Sequence, residues 1–463
     1  MRRVRLAAVS SRAEAVVPAL LLAAIAGCTR SSANQAADES ILVLPHVHLI
    51  DGTGDPVQRD VTILVRDGLI TEILPASVSD DAIPPGATRL PVEGRFVIPG
   101  LIDSHVHLAT FDRGNILPVL LRRTLEGGVT TVRDMGGNTR EVARHARRAA
   151  EDTAASPRIY FSAVVAGPRW FATYDTTRLR YWSGDDPPGQ APGVRLLEDD
   201  SGIAAIVEEA RQLGATGVKV YADLPPARVA ALTTAAHRAG LRVWAHVVVP
   251  PARPEQLVAV GVDVLSHADQ LVWTGAPRSV DLWSREDRSE LLRAVDPEVA
   301  TQLRQLFQDM VRRGTLFEPT LLVMQMNAPP GTDAAALDTL PFWAVRAART
   351  AHAAGVPIVA GTDAIGAETP NLHSELQLLV RQVGMTPLEA LRAATVNAAR
   401  ALGAQDSLGR VAPGMLADLV VLRADPSEDI RNTQTIELVV RGGRVYRREG
   451  AWETPVGAEP PPR

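Results

Sequence analysis

The chain has 463 residues, 46% of them hydrophobic and 22% charged, an ordinary globular composition with room for one large α/β domain and a smaller one. A formal net charge of −5 leaves no basic field and argues against a nucleic-acid partner. Cys28 is the single cysteine, which excludes an internal disulfide and any cysteine-built metal site, so a metal would need His, Asp, Glu or a less usual donor.

In chain order, the first segment reads as an address. Arg2, Arg3 and Arg5 precede an apolar run from about Val16 to Ala26, the layout of a secretory signal peptide and too short to span a bilayer comfortably. The stretch Ile25-Ala26-Gly27-Cys28 resembles a bacterial lipobox. That resemblance implies a signal peptide over 1–27, cleavage before Cys28 and its acylation, and so an exported chain held at the membrane, on the periplasmic or cell-surface side, only through that lipid. Residues 28–40 are small and polar and suit a flexible tether.

From Ile41 short strands follow, ILVLPHVHL and DVTILVRDGLITEIL, with Asp67-Gly68 as a hairpin turn. The tail after Gly409 reads the same way, in ADLVVL and IELVVRGGRVYR. Residues 41–95 and 404–450 are therefore expected to form one small β-sandwich around the middle of the chain. Between them, residues 96–403 alternate strands with helical stretches such as IAAIVEEARQLG and PARVAALTTAAHRAG. Eight such strands predict a (β/α)8 barrel. Gly214, Gly240, Gly314 and Gly355 sit just past helices, where a left-handed cap is wanted. Residues 166–200 follow the third strand as an insertion too long for an ordinary loop and dense in aromatics, namely Trp170, Phe171, Tyr174, Tyr181 and Trp182; they are read as a lid or substrate loop.

Barrel enzymes work at the C-terminal ends of their strands. The titratable residues there are His105 and His107 after strand one, Lys219 on strand four, His246 on strand five, His267 on strand six and Asp363 on strand eight. Strands two, three and seven are read as offering nothing comparable. Residues two apart on a strand face the same side, so His105 and His107 can grip one metal. His46-Val47-His48 has the same spacing but no partner ligands nearby, and is read as structural. Lys219 alone would be a lysine snorkelling to the rim. Among four histidines and an aspartate it reads instead as a lysine carbamylated by CO2, a carboxylate able to bridge two metals, because a bare ammonium there would repel them. His145, His237 and His352 fall within helices as surface or packing residues. His373 starts the helix after strand eight on the mouth side, and is taken as a substrate contact.

This set, with IPGLIDSHVHL, GVTTVRDMGG, AGTDA, ELQLLVRQVGMTPLEALRAATVNAARALG and LGRVAPGMLADLVVL, resembles the amidohydrolase superfamily in its binuclear subtype. It is similar to the branch with imidazolonepropionase-like proteins and prolidase-like carboxypeptidases, and the likeness covers about Ile41 to Arg448. It implies two divalent metals, zinc by donor type. One would be held by His105, His107, Lys219 and Asp363, the other by Lys219, His246 and His267. Asp363 would carry the proton, and Tyr221, two residues past Lys219, would hold a substrate carboxylate or carbonyl. The implied reaction is hydrolysis of an amide-like C–N bond in a small molecule, a dipeptide or N-acyl amino acid, by a monomer or homo-oligomer. A mononuclear deaminase, a lactone or cyclic amide hydrolase, and a lipid-anchored binding protein with a dead site stay as alternatives; Lys219 speaks against the first. Prolidase-like relatives carry Gly-Gly-His after strand three, where this chain has Gly167-Pro168-Arg169-Trp170, so a plain Xaa-Pro substrate does not follow.

Overall fold

The computed structural model describes residues 41–78, 83–111, 116–151, 154–277, 279, 281–326, 340–363 and 372–447. The signal peptide, Cys28 and the tether expected over 28–40 lie outside the described residues. Among the described residues no helix is long and apolar enough to cross a membrane.

The strands in chain order are Ile41–Leu49 (β1), Gln58–Arg66 (β2), Leu69–Pro75 (β3), Thr88–Arg89 (β4), Phe96–Pro99 (β5), Leu101–Val106 (β6), Val129–Asp134 (β7), Arg158–Ala166 (β8), Gln190–Ala191 (β9), Val194–Leu196 (β10), Gly217–Val220 (β11), Arg242–His246 (β12), Val264–Ser266 (β13), Leu316–Glu318 (β14), Leu419–Leu422 (β15), Ile436–Arg441 (β16) and Arg444–Arg447 (β17). They form two sheets. The outer, mixed sheet runs β17-β16-β15-β5-β1-β2-β3, with β4 beside β1, so both ends of the chain build it, as expected. Its strands alternate. Val97, Val421, Leu438 and Val440 enter a core private to this sheet, while Ile98, Val420, Leu422 and Val439 join the large core of the barrel. Asp67 and Gly68 both take positive φ, at 51° and 79°, which makes the β2–β3 turn the twisted hairpin that Asp-Gly favours.

One boundary differs from expectation. The run FVIPGLIDSHV looks like a single barrel strand, yet Phe96–Pro99 pairs with β1 and β15 in the outer sheet, and only Leu101–Val106 pairs with β7 in the barrel. Gly100 is the switch. A Cβ there would lie 2.1 Å from Thr130 Oγ1, so only glycine lets the strand cross between sheets at that closeness.

Parallel strands β6, β7, β8, β11, β12, β13 and β14 form the barrel wall. The eighth segment, around 357–363, is an irregular strand. It bridges β14 at Phe317 and Ile358, and it meets β6 where Ser104 N donates to Ala360 O and Asp363 N to His105 O. The interior below the mouth is packed, with Ile102, Trp244, Val264, Leu316 and Val359 meeting Ala398, Ala399 and Leu402 of the helix Val396–Leu402, which plugs the bottom. Arg133 is fully buried there, over the Trp244 ring and bonded to Ser162 Oγ at 3.0 Å. The insertion is ordered. Helices Pro168–Thr173 and Thr176–Ser183 precede a hairpin, β9–β10, whose second strand extends the wall beside β8.

Candidate active site

The ends of the barrel strands converge on one centre. His105 is 1% exposed; its Nδ1 lies 2.6 Å from Glu318 Oε2, and its Nε2 is 3.4 Å from Asp363 Oδ1. His107 donates through Nδ1 to the Gly136 carbonyl at 2.7 Å, which turns Nε2 toward Asp363 Oδ1 at 3.0 Å. His267 Nδ1 sits 3.0 Å from Thr320 Oγ1 and 3.8 Å from Asp363 Oδ2. The His246 ring lies 4.8 Å from that of His267 and 4.7 Å from that of Tyr221. Lys219, wholly buried, donates from Nζ to Ser266 Oγ at 2.8 Å. The six residues expected to be ligands are thus brought together. His105, His267 and Asp363 offer ligand atoms that all lie within 4.8 Å of one another, a donor group of the kind that could hold a metal ion.

The electrostatics fit such an ion. Burial, reinforced by neighbouring positive groups, pushes His105, His246 and His267 well below the ordinary imidazole value, leaving them as neutral donors. Burial opposes ionisation of Asp363, but His105, His107 and Lys219 outweigh it and hold the carboxyl below its usual value. Burial alone would lower His107; its hydrogen bond to Asp363 overrides that and raises it. Burial brings Lys219 down to about 8, within reach of the free amine.

Positive φ values at His267 (83°), Thr320 (49°) and Asp363 (53°) concentrate at this centre. Each costs on the order of 1–3 kcal/mol, and such strain persists where the surroundings over-determine a geometry. The residues that do so were missed in the sequence. Glu318, at the end of strand seven, accepts from Ser266 Oγ at 2.8 Å as well as touching His105, so one chain of contacts runs Lys219–Ser266–Glu318–His105 across four strands. Burial lifts Glu318 to about 7 against the pull of Lys219. Asp134, at the end of strand two, accepts from Leu108 N at 2.6 Å and Gly136 N at 3.0 Å and so fixes the turn that orients His107. Asp103 accepts from Thr362 N, Thr362 Oγ1 and His105 N, tying strand one to the Asp363 segment. Strands two and seven therefore do contribute, and a carboxylate at the end of a buried strand was the available signal. In AGTDA the glycine is steric: a Cβ on Gly361 would lie 2.5 Å from Glu318 Oε1 and 2.8 Å from His105 Cβ.

Two expected substrate contacts are revised. His373 is engaged elsewhere, with Nδ1 3.0 Å from Thr433 Oγ1 and Nε2 2.9 Å from Gly127 O; it ties its helix to the segments carrying Gly127 and Thr433, and the cavity is lined without it. Tyr221 does line the cavity, but its hydroxyl donates to Met135 O at 2.9 Å, so only its oxygen lone pairs face an incoming group. Of the helical histidines, His145 is buried in its helix, while His237 pairs with Asp263 and His352 lies near Glu389. His46 and His48 share a local partner, Asp60.

Above the centre opens a cavity of about 320 Å³. His107, His246, His267 and Asp363 lie at its base, and the insertion supplies Trp170, Tyr174, Arg178 and Trp182 as a wall. Trp170 stacks on Tyr174 at 4.4 Å and meets Tyr221 at 5.2 Å, so the aromatics of this segment pack together along one side of the cavity.

Residues 96–247 and 344–445 match the pattern of the amidohydrolase family. The chain is 27% identical to an uncharacterized protein of Mycobacterium tuberculosis over 424 residues, 86% of this chain and 95% of that one. It is 26% identical to ochratoxinase of Aspergillus niger over 471 residues, 87% and 86% of the two. The crystal structure of a Xaa-Pro dipeptidase with bound methionine superposes with a TM-score of 0.68 at 21% identity, covering 88% of this chain and all of that one.

Proposed function

The chain belongs to the amidohydrolase family of metal-dependent hydrolases, and from that premise we propose that it is a binuclear enzyme cleaving the amide bond of a dipeptide or N-acyl amino acid with an aromatic portion. The observation that carries this is the cavity itself, with its His/Asp base and the wall of Trp170, Tyr174 and Trp182. The family relatives named for ochratoxin and Xaa-Pro dipeptides fit an amide within a small molecule.

In this reading His105, His107 and Asp363 would hold one ion and His246 and His267 the other, and Lys219, as its carbamate, would be a ligand to both. Carbamylation joins the free amine of Lys219 to CO2 with loss of one proton. Zinc suits this donor set. Two bound divalent ions supply Lewis acidity at the scissile carbonyl and a water made nucleophilic at neutral pH. The chain's own residues do the rest. Asp363 accepts the proton of the attacking water and delivers it to the departing nitrogen. Glu318 keeps His105 in one orientation, and Gly136 O does the same for His107. The aromatic wall excludes bulk water and seats the flat part of the substrate. Elemental analysis of gently purified protein is expected to find about two divalent ions per chain. No metal, together with no activation by zinc, cobalt or manganese on a library of dipeptides and N-acyl amino acids, overturns the proposal.

A further inference from the structure

Beside the hydrolytic centre the cavity keeps polar groups that this chemistry does not use. Asp269, two residues past His267, lines the cavity and is 4% exposed. Arg288 pairs with its Oδ2. Its Oδ1 has no hydrogen-bond partner among the described residues. A buried acceptor left without a donor is destabilising, so a cavity wall that retains one is completed by a donor from outside.

A complementary pair stands on the insertion. Arg178 lines the same cavity, with its guanidinium over the Phe111 ring at 5.2 Å and its Nε 3.9 Å from Asp175 Oδ2, beyond hydrogen-bond range. One helical turn on, Trp182 also lines the cavity and is 2% exposed; its indole Nε1–H has no acceptor among the described residues. Residues four apart share a helix face, so a guanidinium and a free N–H donor are presented together, which suits a carboxylate. Asp269 follows β13 and Arg178 follows β8, and between these strands in the wall lie β11 and β12, which carry Lys219 and His246. An anionic acceptor and a cationic donor pair thus flank the reacting centre.

We propose that Asp269 binds the free α-ammonium group of the substrate while Arg178 and Trp182 bind its carboxylate, so that the preferred substrates are unblocked dipeptides rather than N-acyl amino acids. This rests on the amidohydrolase reading above and narrows it. A dipeptide carries the two charges on opposite sides of its single amide bond, as the cavity does. An N-acyl amino acid has the carboxylate but leaves Asp269 Oδ1 without a charged donor.

The test compares kcat/KM for Xaa-Phe dipeptides with that for the same dipeptides N-acetylated, using metal-loaded full-length protein. Charge-assisted hydrogen bonds predict a preference of about 10- to 100-fold for the free amine. In Asp269→Asn that ratio is expected to fall to about threefold or less, with the change in KM. Arg178→Gln is expected instead to erase the preference for a free C-terminal carboxylate over its amide while keeping the amine preference. Arg288→Gln removes the ion pair but not the acceptor, and is expected to keep the amine preference. Equal or better cleavage of the N-acetyl compounds by the wild type overturns the proposal without any variant. Loss of the ratio in Arg288→Gln as complete as in Asp269→Asn also overturns it, since the role would then be structural. If only N-acyl amino acids are cleaved, this proposal fails and the amidohydrolase reading stands; if neither class is cleaved, both fail.

Discussion

The tripeptide His-Val-His occurs twice, and the two copies have different fates. In both, the central valine is fully buried, at Val47 and Val106, because alternation along a strand sends it into an apolar core. At the first copy the strand bulges at His46, which takes φ 52° and is 45% exposed beside Asp60, while His48 rests on Phe96 with ring centroids 5.0 Å apart. At the second, His105 is enclosed by Glu318, Asp363 and the His267 ring, 5.1 Å away. The spacing gives a pair of imidazoles and nothing more. What differs is closure, because a barrel brings the ends of strands four to eight to the same point, whereas β1, although it lies inside the outer sheet between β5 and β2, brings His46 and His48 to a single carboxylate partner, Asp60.

The largest effect that sharpens this contrast is expected at Lys219. Lys219→Ala should lose most turnover and at least one ion, because the proposed carbamate bridge could not form. Asp363→Asn should keep much of its metal yet lose about 10²–10⁴-fold in kcat with the proton carrier gone. Metal analysis alongside kcat separates the two, and a Lys219→Ala protein with two ions and near-normal turnover would make the lysine structural. A smaller effect is expected at Glu318, which touches an imidazole but lies outside the proposed ligand set. Glu318→Gln should weaken metal retention by about 10–100-fold, read by competition against a chelator; unchanged retention would mean that packing alone orients His105. The smallest is expected at the other His-Val-His. His46→Ala with His48→Ala should shift unfolding stability by no more than about 0.5 kcal/mol per site and leave metal content alone. A double variant that lost metal would break the comparison outright.

The residues that converge on the candidate site were legible in the sequence because strand ends of a barrel follow from periodicity, and a histidine or lysine there is conspicuous. The caps were legible for a similar reason: Gly214, Gly240, Gly314 and Gly355 all have positive φ, as a helix terminus demands. The residues that orient these side chains were harder to see. Glu318 ends a three-residue strand before a proline, and its role exists only because Ser266 and His105 arrive from elsewhere. His373 misled for the converse reason. Its place near the mouth was readable, but its two partners lie 60 and 246 residues away in the chain, and nothing local announces them. The split at Gly100 was hidden because apolar character continues unbroken through FVIPGLI while the hydrogen-bond partners change.

The outer sheet also bears on how the protein can be made. Strand β5 lies between β1 and β15, and β15, which completes its pairing, is encoded more than three hundred residues later. During synthesis, therefore, β5 and the strands beside it present an open, apolar sheet edge while the whole barrel is still emerging. Unpaired edges of this kind template pairing with other chains, and long-range strand closure is slow. A ribosome that stalls before residue 419 would leave that edge permanently exposed, so an incomplete chain of this protein is a candidate for aggregation and proteolysis even with every residue of the candidate metal site already synthesised.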